Sequence, residues 1–314
     1  MMEFSEKQTN LLNKGISRRS FLKYCGTIAA ALGLGPSYAG RIAEALTSPE
    51  RPPVVWLHFA ECTGCSEAFL RSTRPSVEQI LLDTISLDYH ETLMVAAGAQ
   101  AETNRDQAVA DFPGEFICVV EGAIPTGQNG VFGTIGGRTM LDIAQTILPK
   151  AKAVIAYGTC SSFGGVTAAA PNPTGAKGVQ DAVGVKTINI SGCPPNPINL
   201  VSTIANYLLF NTLPELDPLG RPKFAYGSKV HDRCNKPYGC LEDLGCEGKR
   251  TYGNCPTLRF NDGTSWDVQA GHHCIGCTEP GFWDRFAPFY SSEFVRKFYA
   301  DYAFIGEGKA AGDD

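Results

Sequence analysis

The sequence predicts an α/β protein in which a doubly wound parallel sheet is followed by an irregular, cysteine-rich C-terminal region. Two observations predict the sheet. Short apolar runs typical of buried strands alternate with stretches of helical length, and three of these runs end in segments that contain Gly and Cys. A third observation predicts the irregular region. From residue 211 onwards periodic apolar runs are few, and six cysteines fall between Cys234 and Cys277.

Four segments are predicted as buried strands because they are short and apolar. They span residues 54–59, 115–121, 151–157 and 185–190. Helices are predicted between them over residues 77–85 and 139–148, and this alternation of strands and helices favours a parallel sheet. The stretch 167–184, rich in Ala, Gly and Pro, is predicted as a surface loop.

Length and composition narrow the function classes. The 314 residues are enough for two domains, and the formal net charge of −5 gives no support for a nucleic-acid-binding protein. The 12 cysteines are the unusual feature, since they indicate disulfides, metal sites or cofactor clusters.

The first 45 residues are predicted to be a targeting segment. Residues 17–23 (SRRSFLK) match a twin-arginine export signal, and the apolar stretch 24–35 that follows is too short to span a bilayer. Small-residue cleavage sites lie at Ala39 and Ala45. The alternative is a chance Arg-Arg pair before an amphipathic helix. The twin-arginine route carries proteins that fold, and usually take up their cofactors, before export, so this signal favours metal over disulfides.

Removal of residues 1–45 makes the chain more acidic. The remainder has 21 Lys and Arg against 29 Asp and Glu, a net charge of −8 that favours basic partners. Cys25 is lost with the signal, which leaves eleven cysteines. The C-terminal stretch from Ser291 carries four charged residues within eleven positions, so it is not predicted to be a transmembrane anchor.

The first group of cysteines follows the predicted strands. Cys62 and Cys65 come after the first strand, Cys160 follows the strand at 151–157, and Cys193 follows the strand at 185–190. In open α/β sheets, ligands bind beyond the carboxyl ends of the strands. We therefore expect these four thiols to converge on one site.

Two further groups lie in the irregular region. One consists of a histidine and three cysteines: His231, Cys234, Cys240 and Cys246. The other consists of three cysteines: Cys255, Cys274 and Cys277. Such thiolate-rich sets suit iron–sulfur clusters or structural zinc. Cys118, in the middle of a predicted strand, is interpreted as an ordinary buried thiol, and His58 as a core or interface histidine.

Disulfides and zinc are the alternatives to iron–sulfur clusters. Disulfides are natural in the periplasm, but the closely spaced Cys-x-x-Cys pairs and the export signal fit them poorly. Zinc fits the group that begins with His231, but it does not explain a group of three with no fourth thiol.

Several runs resemble the small subunits of nickel–iron hydrogenases. In the first half these are residues 56–67 (WLHFAECTGCSE), 119–125 (VVEGAIP), 158–160 (GTC) and 192–197 (GCPPNP). In the second half they are residues 231–234 (HDRC), 254–256 (NCP) and 277–284 (CTEPGFWD). The runs stand in the family's order and cover essentially the whole chain after the signal.

The resemblance implies three iron–sulfur clusters. The ligands of a proximal 4Fe–4S cluster would be Cys62, Cys65, Cys160 and Cys193. Those of a medial cluster would be Cys255, Cys274 and Cys277. Those of a distal 4Fe–4S cluster would be His231, Cys234, Cys240 and Cys246. The neutral His ligand should raise the potential of the distal cluster.

The resemblance also implies a function. Hydrogen would be split at a nickel–iron centre in a separate large subunit, and this chain would pass the electrons to a periplasmic acceptor such as a c-type cytochrome. The chain would then consist of the twin-arginine signal segment predicted above (1–45), a flavodoxin-like domain (46–210) and an irregular domain (211–314). The resemblance assigns the proximal cluster to the flavodoxin-like domain and the other two clusters to the irregular domain. A periplasmic binding or structural module, and a cluster-bearing subunit of a related complex that does not use hydrogen, are the alternatives.

The sequence departs from the family pattern in the irregular region. The spacing between Cys234 and Cys240 is shorter than in most members. Asp267 stands where most members have Pro, which leaves a 3Fe–4S medial cluster, and some have Cys, which completes a 4Fe–4S cluster. Asp267 is therefore a candidate additional ligand, with a loop residue facing solvent as the alternative.

The resemblance also leads to an expectation about oxygen sensitivity. Oxygen-tolerant members carry two extra cysteines beside the proximal cluster, where this sequence has Gly64 and Gly165. We therefore expect ordinary oxygen sensitivity.

Overall fold

A five-stranded parallel sheet forms the centre of the first domain. The computed structural model describes residues 18–46, 51–72 and 85–285. The strands are β1 (Pro53–His58), β2 (Ser86–His90), β3 (Ile117–Glu121), β4 (Ala153–Tyr157) and β5 (Ile188–Ile190). Their order is β2-β1-β3-β4-β5, and all neighbours are parallel. This is the flavodoxin-like order, so the predicted fold class is confirmed.

The four predicted strands correspond to β1, β3, β4 and β5. β3 is buried along its whole length and β1 and β4 along all but their first residue, because helices cover both faces of a parallel sheet. The sequence did not reveal β2 (SLDYH), since this strand lies at the sheet edge and its first three residues are only partly buried.

The helices of the first domain lie on both faces of the sheet. They are α1 (Arg18–Ala31), α2 (Tyr38–Leu46), α3 (Gly64–Leu70), α4 (Ala99–Asp111), α5 (Met140–Ile147), α6 (Thr159–Phe163), α7 (Val179–Val183) and α8 (Pro197–Phe210). α5 is the helix predicted over 139–148, and the Thr139 side chain caps it by accepting from Asp142 N at 3.1 Å. The helix predicted over 77–85 lies, except for Ile85, outside the described residues.

The prediction of a surface loop over 167–184 is wrong. The segment contains α7 and a short strand, Ala176–Lys177, that pairs in antiparallel fashion with Ile124–Pro125. Ala176 and Val179 are buried. These elements are too short for a periodic pattern to reveal them, and packing against the rest of the domain holds them in place.

Alternate side chains of the sheet enter two separate cores. Trp56 of β1 and Val119 of β3 pack on one face with Ile204 of α8. Leu57 and Val120 pack on the other face with residues of α4 and α5. The period of two along each strand thus builds both layers of the fold.

The region after α8 is irregular, as the sequence predicted. Its helices are α9 (Lys223–Tyr226), α10 (Val230–Arg233), α11 (Cys255–Leu258) and α12 (Phe282–Arg285), and within residues 211–285 no helix is longer than four residues. A small core of Val230, Trp266, Val268 and Cys274 lies among the predicted ligands. Within the parts of the chain that the structure describes, no helix is long and apolar enough to cross a membrane.

Candidate metal centres

The four thiols of the first group come together at the carboxyl edge of the sheet. Cys62 and Cys65 flank the start of α3 after β1, Cys160 lies in α6 after β4, and Cys193 follows β5. Burial raises the pKa of Cys65 well above its usual value, and the nearby Glu121, Cys160, Cys193 and Cys62 raise it further. Burial also raises the pKa of Cys160 and of Cys193. Thiols that resist ionisation in this way fit a site where positive irons would stabilise their thiolates.

Two glycines, Gly158 and Gly165, lie against sulfur atoms of this site. A Cβ atom at Gly158, where φ is 107°, would lie 2.5 Å from the Cys65 sulfur. A Cβ atom at Gly165 would overlap the Cys160 sulfur. Side chains at either position would therefore displace the thiols, so the backbone here is shaped around sulfur atoms.

Glu121, at the end of β3, holds the Cys62–Cys65 loop. Its buried carboxylate accepts hydrogen bonds from Cys65 N at 3.0 Å, Ser66 N at 3.1 Å and Ser66 Oγ at 2.5 Å. Burial alone would raise its pKa, but hydrogen bonds from His58 and Ser66 outweigh it, so the pKa of Glu121 is lowered. Glu121 is therefore an anion that fixes the start of α3.

Two residues that were not assigned as ligands are buried as expected. The Nε2 atom of His58 lies 3.1 Å from Ser66 Oγ and 3.5 Å from Glu121 Oε2, so this histidine supports Glu121. Cys118 lies within β3, and burial raises its pKa. Both predictions are confirmed.

Asp267 lies near the group formed by Cys255, Cys274 and Cys277. Burial raises the pKa of Cys255 to about 12, and the charges of Asp267 and Cys274 raise it further. The pKa of Cys277 is raised by burial and by Cys255, Asp267 and Cys274. The Asp267 carboxyl, whose own pKa burial raises, thus lies beside all three thiols.

The group that begins with His231 lines one cavity near the surface. His231, Cys234, Cys240 and Cys246 surround it together with Trp266 and Val268. Cys240 is exposed, and the backbone N of Lys236 donates to the Cys234 sulfur at 3.4 Å. The shortened spacing between Cys234 and Cys240 still brings both thiols to the same cavity.

Direct contacts link the three groups in a line. A backbone hydrogen bond from Cys193 reaches the Cys277 thiol, and Thr159 Oγ1 donates to the carbonyl of Cys277 at 2.5 Å. On the other side, Glu247 N, next to Cys246 in the chain, donates to the carbonyl of Cys274 at 2.8 Å. Burial raises the pKa of Cys274, and the charges of Asp267 and Cys246 raise it further. The group at Cys255, Cys274 and Cys277 therefore lies between the other two.

Among the described residues, no group of three or more His, Cys, Asp or Glu side chains is arranged to hold a metal ion. In a cluster of several irons each thiolate binds a different iron, so wider spacing is expected. A flavodoxin-like sheet with four thiols at its carboxyl edge, followed by two further groups of candidate ligands, is the arrangement expected of the class of iron–sulfur electron-transfer proteins.

Comparison with known proteins supports this class and narrows it. Residues 62–207 match the family profile of the NADH ubiquinone oxidoreductase 20 kDa subunit, and residues 220–290 match the profile of the C-terminal region of NiFe/NiFeSe hydrogenase small subunits. The periplasmic NiFe hydrogenase small subunit 1 of Nitratidesulfovibrio vulgaris is 53% identical over 307 residues, covering 91% of this chain and 96% of that one. The chain belongs to the family of nickel–iron hydrogenase small subunits.

Other relatives agree. The periplasmic NiFe hydrogenase small subunit of Solidesulfovibrio fructosivorans is 49% identical, covering 91% of this chain and 96% of that one. The crystal structure of a reduced, active Ni-Fe-Se hydrogenase from Desulfomicrobium baculatum superposes with a TM-score of 0.72 at 35% identity, covering 78% of this chain and 100% of that one. The chain is thus the electron-transfer subunit of a hydrogenase, an iron–sulfur protein that works with a large subunit.

The sequence did not single out Glu121 or Ser66. A signal for Glu121 was present, since a carboxylate that ends an otherwise apolar buried strand requires buried hydrogen-bond donors. The donors could not be identified, because they lie 55 and 56 residues away in the chain.

Proposed function

We propose that this chain takes electrons from hydrogen oxidation in its large subunit and passes them along three iron–sulfur clusters to an acceptor in the periplasm. The observation that supports this most strongly is the line of three ligand groups, joined by the contacts of Cys277 and Cys274. Short steps between neighbouring redox groups are what such a relay requires.

The ligand groups support a specific assignment. Cys62, Cys65, Cys160 and Cys193 hold the proximal 4Fe–4S cluster at the sheet edge. The medial cluster is held by Cys255, Cys274 and Cys277. The distal 4Fe–4S cluster is held by His231, Cys234, Cys240 and Cys246, where the exposed Cys240 marks the exit. When bound, the clusters accept and release single electrons. The protein holds their thiolates in place.

Asp267 is proposed as a fourth ligand of the medial cluster. Its carboxyl is close enough to raise the pKa of each of Cys255, Cys274 and Cys277. It stands at the position that is Pro or Cys in the family. With Asp267 bound to a fourth iron, the medial cluster is a 4Fe–4S cluster. Because an oxygen ligand is harder than a thiolate, this fourth iron is held less firmly than the others.

Export by the twin-arginine route to the periplasm is proposed from residues 17–23. The relatives named above are described as periplasmic, which supports the location. A c-type cytochrome is the proposed acceptor, because the chain without its signal is acidic and favours a basic partner.

The function is tested by assaying the heterodimer for hydrogen-dependent reduction of a viologen dye and of a c-type cytochrome. We expect both reactions, loss of both in Cys193→Ser, and retention in the control Cys118→Ala. Cys118 is a buried thiol outside the three groups. A protein that contains zinc or disulfides but no iron and acid-labile sulfide would support the rival structural module.

A further inference from the structure

The N-terminal segment is packed onto the folded domain. α1 and α2 form a helical hairpin, and the turn between them includes Gly33 at a φ of 70°. One face of each helix is buried, with side chains less than 5% exposed: Tyr24, Cys25, Ile28 and Ala29 in α1, and Ile42, Ala43 and Leu46 in α2. The spacing of these residues is that of one helical face.

The surface beneath the hairpin belongs to α8. Both hairpin helices contact α8, whose sequence, PINLVSTIANYLLF, is apolar around most of its circumference. A helix of this kind needs cover on more than the side that faces the sheet. Tyr207 and Leu208 of α8 pack against the same core as the hairpin.

Specific contacts fix the outer end of the hairpin. The ring of Tyr38 lies 6.3 Å from that of Phe210 at the end of α8. The guanidinium of Arg41 lies 4.9 Å from the centre of the Tyr38 ring and 6.0 Å from that of Phe210. These contacts add cation–π attraction to apolar burial.

The packing divides the export signal into an exposed and a hidden part. Arg19 and Lys23 are exposed, but Tyr24, Cys25 and Ile28 of the apolar stretch that follows are buried. Ala39 and Ala45, the candidate cleavage positions, both lie within α2. Proteolytic cleavage favours exposed, irregular backbone, so neither position is ready for a peptidase while α2 is folded and docked.

We propose that the outer face of α8 is a docking surface for the chain's own N-terminal hairpin, which masks the apolar part of the export signal until the translocase extracts it. The proposal rests on the twin-arginine role assigned above. In the docked state Arg19 of the arginine motif is offered to a receptor, while the buried part of the apolar stretch and the cleavage positions are withheld.

Cys25 provides a direct reporter of docking. Its side chain is fully buried, and burial raises its pKa to about 12, so its thiol reacts with a maleimide only when the hairpin opens. Digestion with trypsin releases it on a peptide, residues 24–41, that contains no other cysteine. The thiols of the three ligand groups are thereby kept out of the measurement.

The test uses the full chain with its partner, accumulated in cells that lack the translocase. N-ethylmaleimide should label Cys25 slowly in the wild type. Labelling should be faster by on the order of tenfold or more in Ile42→Asp, which places a charge in the buried face of α2. The matched control is Gly40→Asp in the same helix, where the site is exposed and a Cβ atom meets nothing within 4 Å. Its labelling should remain slow.

Equal labelling rates in the wild type and Ile42→Asp would overturn the docking surface. A different experiment tests the twin-arginine assignment. Export that continues in Arg18→Lys with Arg19→Lys would refute that assignment, whereas the rate of Cys25 labelling would still decide whether the hairpin is docked.

Discussion

At the residue scale, the candidate ligands could be predicted from the sequence, but the residues that hold them in place by hydrogen bonds could not. Cysteines are recognisable by type and spacing, and each of the three predicted groups is brought together by the fold. Glu121 and Ser66 carry no such mark, because their roles depend on a contact between β3 and α3. Asp267 was noticed only because it departs from a family pattern.

Glu121→Gln should raise the reduction potential of the proximal cluster. The substitution removes a buried negative charge that is hydrogen-bonded to Cys65 N, and loss of negative charge favours the reduced cluster, by on the order of tens of millivolts. The measurement is an EPR-monitored redox titration of the heterodimer. Glu67→Gln is the control, since Glu67 lies on the same helix but is 55% exposed and pairs with Arg71. Equal shifts in the two variants would contradict a specific role for Glu121.

Asp267→Pro should convert the medial cluster from 4Fe–4S to 3Fe–4S. Proline has no side-chain oxygen to bind the fourth iron, so the oxidised variant should gain the strong EPR signal of an oxidised 3Fe–4S cluster. Asp267→Cys should keep that signal absent, because a thiolate is a better ligand than a carboxylate. A strong 3Fe–4S signal already present in the wild type, and unchanged in Asp267→Pro, would show that the carboxylate does not bind iron.

At the scale of elements, four buried strands and the eight-residue helix α5 were predicted from pattern, but the edge strand β2 and the short helix α7 were not. β2 lies at the sheet edge and is only partly buried, and α7 has five residues. In both cases tertiary packing decides the structure, because so few residues show no reliable period. The region after α8 was correctly predicted as irregular, yet its loop geometry follows from contacts that the sequence does not display.

Asn196 should stabilise the junction between α8 and the cluster-binding region. Its Oδ1 atom caps α8 by accepting from Ile198 N at 3.0 Å, and its Nδ2 atom donates to the carbonyl of Arg259. Asn196→Ala should lower stability by about 1 kcal/mol or more, as cap removal typically does. Asn196→Asp keeps the cap oxygen and should lose less. Thermal melting of the heterodimer measures both, and equal losses would show that the cap contributes nothing.

At the scale of the whole molecule, the residues around the proximal site predict how sensitive the enzyme is to oxygen. A Cβ atom at Gly64 would lie 3.1 Å from the Cys62 sulfur, and one at Gly165 would overlap the Cys160 sulfur. Extra thiols at these positions would adjoin the cluster, but the chain has none there. Hydrogen oxidation by the heterodimer should therefore stop in air and return only after reductive reactivation. Sustained turnover in air would contradict this expectation.

The positions of the exposed thiols in the whole molecule indicate where a partner chain should bind. The proximal thiols Cys62 and Cys193 are exposed at one edge of the chain, and Cys240 is exposed in the last group of the line. In the proposed relay, the edge at Cys62 and Cys193 is the entry for electrons and the exposed Cys240 is the exit. A larger, nickel-containing chain should therefore co-purify with this one and cover the edge at Cys62 and Cys193.

The most direct test of the electron relay is EPR spectroscopy of the purified heterodimer before and after exposure to hydrogen. We predict three distinct iron–sulfur clusters, all reduced by hydrogen. In Cys193→Ser, which removes a ligand at the entry, hydrogen should no longer reduce the medial and distal clusters, while dithionite still does. Fewer than three clusters, or rapid reduction of the distal cluster by hydrogen in that variant, would contradict a relay that runs through the three groups in order.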